Sequence, residues 1–139
     1  MRAILLAAGK GTRIHRHFSR PKSTIEVAGE PIIKRTVGIL ARRGFEVSVV
    51  LGYEGEFIRK CLEGYDVSFY GNPFYPDTNS IASLWMAREA VRGEGDLIVM
   101  NADVYWDERI LDRLMASGSG PAMVSDRSRS EIGDFFFCV

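Results

Sequence analysis

The 139-residue chain has little of what defines several protein classes. It carries two cysteines, Cys61 and Cys138, far apart and outside any CxxC pair. That argues against a disulfide framework or a thiolate metal site, and it fits a reducing cytoplasm. It has no basic excess: Lys plus Arg and Asp plus Glu each total 18, so nothing in the overall charge would hold a nucleic-acid backbone. It has no long hydrophobic run. The apolar stretch Ala3–Ala8 is too short to span a membrane and ends in Gly9, not in a signal-cleavage pattern. Repeats and low-complexity segments are also missing. What is there is 46% hydrophobic and 26% charged, an ordinary globular composition, and the length suits one domain.

Short apolar runs alternate with helical periodicity. The pattern predicts strands at Arg2–Leu6, Glu46–Leu51, Asp66–Tyr70 and Asp96–Met100, with two more at Ala122–Val124 and Phe135–Val139. It predicts helices at Pro31–Arg43, Glu54–Leu62, Ser80–Val91 and Asp107–Ala116. Ile81, Leu84 and Trp85 would form the apolar face of the third helix, and Ile110, Leu111, Leu114 and Met115 that of the fourth. Consecutive apolar residues in Asp96–Met100 suggest a strand covered on both faces. The strand–helix order implies an α/β fold, a Rossmann-like three-layer sandwich with a mainly parallel sheet. Ligands of such sheets bind beyond the carboxyl ends of the strands, which puts the loops at Gly9, Gly52 and Asn101–Asp103 on one rim.

Positive charge is concentrated where the first strand ends. Arg13, His15, Arg16, His17, Arg20 and Lys22 crowd one stretch, which suits a small anion better than a polymer. The strand runs into Leu6-Ala7-Ala8-Gly9-Lys10-Gly11-Thr12-Arg13, and glycines there let backbone N–H groups approach phosphate oxygens. The order is not that of a P-loop, which needs a Gly-Lys-Ser/Thr after a wider gap. Nor is it a dinucleotide fingerprint: Ile14 stands where a third small residue belongs, and the second strand ends in Gly52 rather than in an acid. His15 and His17 have no third ligand beside them and read as part of a polar loop.

That octapeptide, followed by Pro21-Lys22, resembles the signature of the nucleotidyltransferase superfamily, which includes sugar-1-phosphate nucleotidyltransferases and phosphocholine or inositol-phosphate cytidylyltransferases. The resemblance runs from Arg2 to about Asp126. It implies a fold of the nucleotide-diphospho-sugar transferase type and a loop, Leu6 through Thr12, that wraps NTP phosphates. It makes Arg13 and Lys22 the catalytic cations that neutralise the α-phosphate and the leaving pyrophosphate. Asn101-Ala102-Asp103 matches the family's acid at a strand end, so Asp103 is expected to hold Mg²⁺. Its plainer role is to cap a turn, and the plainer role of Asp107 is to start the next helix. The family's second metal-binding acid lies further on, where Asp126, Glu131 and Asp134 are candidates in no familiar context.

Gly71 to Leu84 resembles the family segment beside the nucleobase. Thr78, Asn79 and Ser80 are candidates to read base edges, with helix capping as the alternative. Gly52-Tyr53 resembles the family's Thr-Gly-Tyr element beside the base, with a turn glycine between strand and helix as the alternative for Gly52. The segment looks closer to phosphocholine cytidylyltransferases than to hexose-1-phosphate enzymes. The expectation is therefore transfer of CMP from CTP to a phosphorylated alcohol. The alternatives are the same chemistry on a sugar-1-phosphate with UTP or dTTP, and a nucleotide-binding module without turnover. Trp85, Tyr105 and Trp106 could wall a quaternary ammonium but read more simply as core. The chain is expected to be one NTP-transferase domain, 1–139, lacking acceptor-site elements at its C-terminal end. Phe135-Phe136-Phe137 needs cover from further chain or from a partner subunit, so a homo-oligomer is among the expectations.

Overall fold

In the computed structural model the described residues are 1–11, 20–118 and 120–125. They form two compact units, Met1–Tyr105 and Trp106–Val139, the second described only in part. The first unit is built on β1 (Arg2–Ala7), β4 (Glu46–Leu51), β5 (Val67–Gly71) and β6 (Leu97–Asn101). These make one parallel sheet in the order β5-β4-β1-β6. Its connections are α1 (Ile32–Arg42), α2 (Gly55–Cys61), and α3 (Ser80–Met86) with α4 (Arg88–Arg92). The chain steps outward from β1 to β4 to β5 and then crosses back to β6. Right-handed crossovers therefore put α1 and α2 on one face and α3 and α4 on the other.

Alternation along the strands serves both faces. Ile4 and Val50 are buried together with Ala87, and Leu6, Tyr70, Leu84, Ala90 and Leu97 pack around them. Ala3, Leu5, Val47, Val49 and Leu51 point to the opposite face and are buried as well. On α1 the residues Ile33, Val37 and Leu40 are buried, and on the α2 side Ile58 and Leu62. At the amino end of the sheet the Arg2 guanidinium donates to the carbonyls of Ala90 and Gly95, tying β1 to the end of α4 and the turn before β6.

The predicted strands and helices of the first unit are present, with three informative departures. Helix α2 starts at Gly55 because Glu54 is left-handed, at φ 49°. The predicted helix Ser80–Val91 is two short helices that break at Ala87, whose φ and ψ are −94° and 22°. Of its expected apolar face only Leu84 packs on the core: Ile81 and Trp85 are 76% and 62% exposed, whereas Ser83 and Ala87 are buried. The two-sided burial expected of β6 is also not found. Val99 is exposed and no residue of the strand is fully buried, because no described strand pairs with its outer edge.

Between β1 and α1 lie a short 3₁₀ turn, Lys22–Thr24, and a hairpin of β2 (Glu26–Val27) and β3 (Glu30–Pro31), none of them expected. In the second unit α5 (Arg109–Met115) buries Leu111 only. Ala122–Val124 has no regular structure, so that predicted strand is not formed. Phe135–Val139 lies outside the described residues. Among the described residues no helix is long and apolar enough to cross a membrane.

Candidate nucleotide site

The carboxyl rim of the sheet collects most of the predicted site residues. β1 delivers Leu6, Ala7 and Ala8 to the rim, and Gly9 and Lys10 follow, exposed. The Ala8 carbonyl accepts the N–H of Tyr53 at 3.0 Å, which stitches the loop to the end of β4. Gly52 makes the stitch possible. A Cβ there would lie 2.5 Å from the Ala8 carbonyl oxygen, 2.9 Å from Ala8 Cα and 2.8 Å from Tyr75 Cβ. Three backbone segments meet at this glycine, and none has a flexible end that could move aside.

Lys22 is brought to the same loop from the other direction. Buried Pro21 accepts both the backbone N–H of Thr24 (2.9 Å) and its hydroxyl (2.7 Å), and the Ile25 N–H closes on Lys22 (3.1 Å). This rigid turn lays the Lys22 stem across Gly11. A Cβ on Gly11 would come within 2.5 to 2.7 Å of Lys22 Cε, Cγ and Cδ, and φ at Gly11 is 67°. Glycine at position 11 thus serves both the left-handed turn and the passage of the lysine. Thr12, Arg13, His15 and His17, and the candidate acids Asp126, Glu131 and Asp134, lie outside the described residues.

Asp103 sits one strand over. The Ala102 N–H donates to the Leu6 carbonyl at 3.1 Å, extending the pairing of β1 with β6 past its last rung. Asp103, an exposed residue, therefore follows directly after the segment paired with the exit of β1. Among the described residues no three acids, histidines or cysteines gather into a metal cage. A lone carboxylate still suits Mg²⁺, which is commonly held by one or two carboxylates and the substrate's own phosphates. Asp107 takes the plainer role: its Oδ1 accepts the Arg109 N–H at 2.9 Å, capping the start of α5.

The third side of the rim is organised by Asn72, a residue not singled out from the sequence. It is 2% exposed, and its side chain is fully engaged. Nδ2 donates to the hydroxyls of Thr78 (3.1 Å) and Ser83 (3.0 Å), and Oδ1 accepts the Phe74 N–H (3.0 Å). Its own N–H reaches the Leu51 carbonyl at 2.7 Å. The bond to Ser83 explains why α3 turns a serine inward and leaves Ile81 and Trp85 outside: satisfying a buried amide outweighs the apolar pattern. Thr78 donates its hydroxyl to the Phe74 carbonyl (2.7 Å), and Asn79 Oδ1 accepts the Ile81 N–H (3.1 Å), the capping alternative for that residue. Ser80 is exposed at the start of the seven-residue α3.

Aromatic side chains close the site. Tyr53 and Tyr75 meet edge to face, with centroids 6.3 Å apart and planes at 61°, and Lys10 Nζ stands 5.6 Å from the Tyr53 centroid. Tyr105 is half exposed and carries the Arg35 guanidinium over its ring at 4.5 Å. A protein cation thus already covers one face that an ammonium ligand would use. Trp106 is buried, as packing predicts, but Trp85 is not and carries Arg88 at 5.6 Å.

Residues 3–136 match the sequence family described as a MobA-like NTP transferase domain. The chain belongs to that family. As a MobA-like NTP transferase domain it is similar to a CMP-5'-(3-aminopropyl)phosphonate synthase from Streptomyces rubellomurinus, with 35% identity over 91% of this chain and 21% of the relative. It is also similar to a CTP:phosphoglutamine cytidylyltransferase from Campylobacter jejuni, with 30% identity over 92% of this chain and 53% of the relative. Among solved structures it resembles the CTP:phosphocholine cytidylyltransferase of Streptococcus pneumoniae, with a TM-score of 0.64 and 30% identity over 73% of this chain and 44% of that one. The chain thus spans from about a fifth to about half the length of these relatives.

Proposed function

We propose that this domain serves transfer of a nucleoside monophosphate, CMP by preference, from an Mg-NTP to a small phosphorylated acceptor, with phosphocholine as first candidate. An acceptor phosphate oxygen, already ionised at neutral pH, attacks the α-phosphorus of CTP. The bond between the α-phosphorus and its bridging oxygen breaks, and pyrophosphate leaves with the electron pair. The protein has little covalent work to do, so its task is alignment and stabilisation of negative charge.

In this reading the backbone from Leu6 through Gly11, with Thr12, borders the triphosphate. Lys22, with Arg13, stabilises charge on the α-phosphate and the leaving group. Asp103 would hold Mg²⁺, which supplies electrostatic neutralisation between triphosphate and acceptor. Gly52, Tyr53, Thr78, Asn79 and Ser80 border the base. The observation that carries the reading is the Lys22 stem packed across Gly11 at the exit of β1. The cytidine preference is supported by relatives named for CMP and CTP chemistry; their named acceptors differ, so phosphocholine stands first in a class.

The test is pyrophosphate release by the purified chain with Mg²⁺, each NTP in turn, and a panel of phospho-alcohols and sugar-1-phosphates. Release with CTP and phosphocholine or a close analogue is expected. Lys22→Ala should lower turnover by about 10²–10³-fold, the cost of removing one preorganised charge-stabilising donor, with an unchanged far-ultraviolet spectrum. Undiminished release by that variant removes Lys22 from the mechanism.

A further inference from the structure

Tyr75 has no part in the mechanism above, yet through its contact with Tyr53 it connects two parts of the rim. Tyr75 is placed from below: the buried Asn72 fixes the loop on either side of it through Phe74 and Thr78, and Tyr75 Cβ presses on the Gly52 position. Its ring meets the Tyr53 ring edge to face. Tyr53 is anchored by its N–H on the Ala8 carbonyl, and its ring carries the Lys10 ammonium. Lys10 is otherwise an exposed side chain with a long flexible stem, so it loses much rotamer freedom when it is fixed.

We infer that Tyr75 is a positioning residue for the triphosphate: its ring holds Tyr53 in the orientation that keeps the Lys10 ammonium over the Tyr53 ring, at the glycine-rich loop. Tyr75 acts through Tyr53 and Lys10 and does not itself touch the nucleotide. The inference rests on the reading of this rim as an NTP site. It adds to that reading a route by which a loop after β5 sets the charge presented by a loop after β1. An edge-to-face aromatic contact and a cation–π contact together account for an effect of about tenfold on affinity.

The test is calorimetric titration of CTP with Mg²⁺ into the wild-type chain and three variants, each checked by thermal melting. Tyr75→Leu keeps the Cβ contact at Gly52 and removes only the aromatic ring, so the loop retains its packing. It should bind CTP about tenfold more weakly, and in turnover the loss should fall on KM for CTP and not on kcat. Tyr75→Phe should restore wild-type affinity, since the ring and not the hydroxyl is used. Lys10→Ala should show a loss like that of Tyr75→Leu, and the double variant should bind no more weakly than Lys10→Ala alone. Wild-type affinity in Tyr75→Leu, a Phe variant as weak as the Leu variant, or losses that multiply in the double variant each overturn the inference and leave the NTP reading intact. A wild-type chain that binds no NTP overturns both.

Discussion

The two faces of the sheet are covered in different ways. Beneath α1 and α2 the cover is aliphatic, with Ile33, Val37, Leu40, Ile58 and Leu62 at 2% exposure or less. Beneath α3 and α4 it is thinner, made by Ser83, Ala87 and partly buried Leu84 and Ala90, and it is pinned at its upper end by the amide of Asn72. The first face follows the hydrophobic pattern and supplies stability. The second gives up apolar burial to hold a loop in one conformation beside the rim. The loop held by Asn72 thus lies at the end of the face whose helix turns two large apolar residues, Ile81 and Trp85, to solvent.

Substitutions on the two sides should separate these roles. The largest effect on stability is expected from Leu40→Ala, which removes a fully buried side chain of α1 and should cost about 2–5 kcal/mol in a denaturant titration. A loss under 1 kcal/mol would erase the contrast. Gly52→Ala should come next. Its Cβ meets the Ala8 backbone and Tyr75 Cβ, so overpacking of about 1–3 kcal/mol is expected. A fall in CTP affinity should accompany it as the loop is pushed off the rim. A variant that is destabilised but binds CTP normally would separate that contact from the site. The smallest effect belongs to the second face: Trp85→Ala should stay within about 0.5 kcal/mol of wild type in the same titration, because the ring is already solvated. A larger loss would show that α3 packs more tightly than its exposure indicates.

The same contrast marks what the sequence discloses. The first face was legible because nothing competes with apolar periodicity there: the predicted strand Glu46–Leu51 is β4 residue for residue, and α1 (Ile32–Arg42) falls one residue inside each end of the predicted helix Pro31–Arg43. The Gly52 and Lys22 positions were legible as motifs, though the close contacts that require them come only from tertiary structure. Three features were not readable. The β2–β3 hairpin turns through Ala28 and Gly29, both with positive φ, and alanine carries none of the usual turn signal of asparagine or aspartate. The rotation of α3 is set by a hydrogen bond from Asn72 to a residue eleven positions on, which outweighs the i, i+3, i+4 pattern. The part played by Tyr75 depends on a ring from another loop, so no local signal could reveal it.

The Arg2 clamp has a consequence for how the chain is made. β1 leaves the ribosome before either of its neighbours yet lies between them in the sheet, flanked by β4 and β6. The carbonyls that grip Arg2 belong to Ala90 and Gly95, and the strand that completes its second edge begins at Leu97. A strand whose Ala3, Ile4 and Leu5 are wholly buried in the finished fold must therefore travel through synthesis with one edge unpaired until Leu97 and its neighbours have emerged. The long-range closure makes this a high-contact-order centre, slow to complete. The nascent chain exposes there the kind of open apolar edge that chaperones shield.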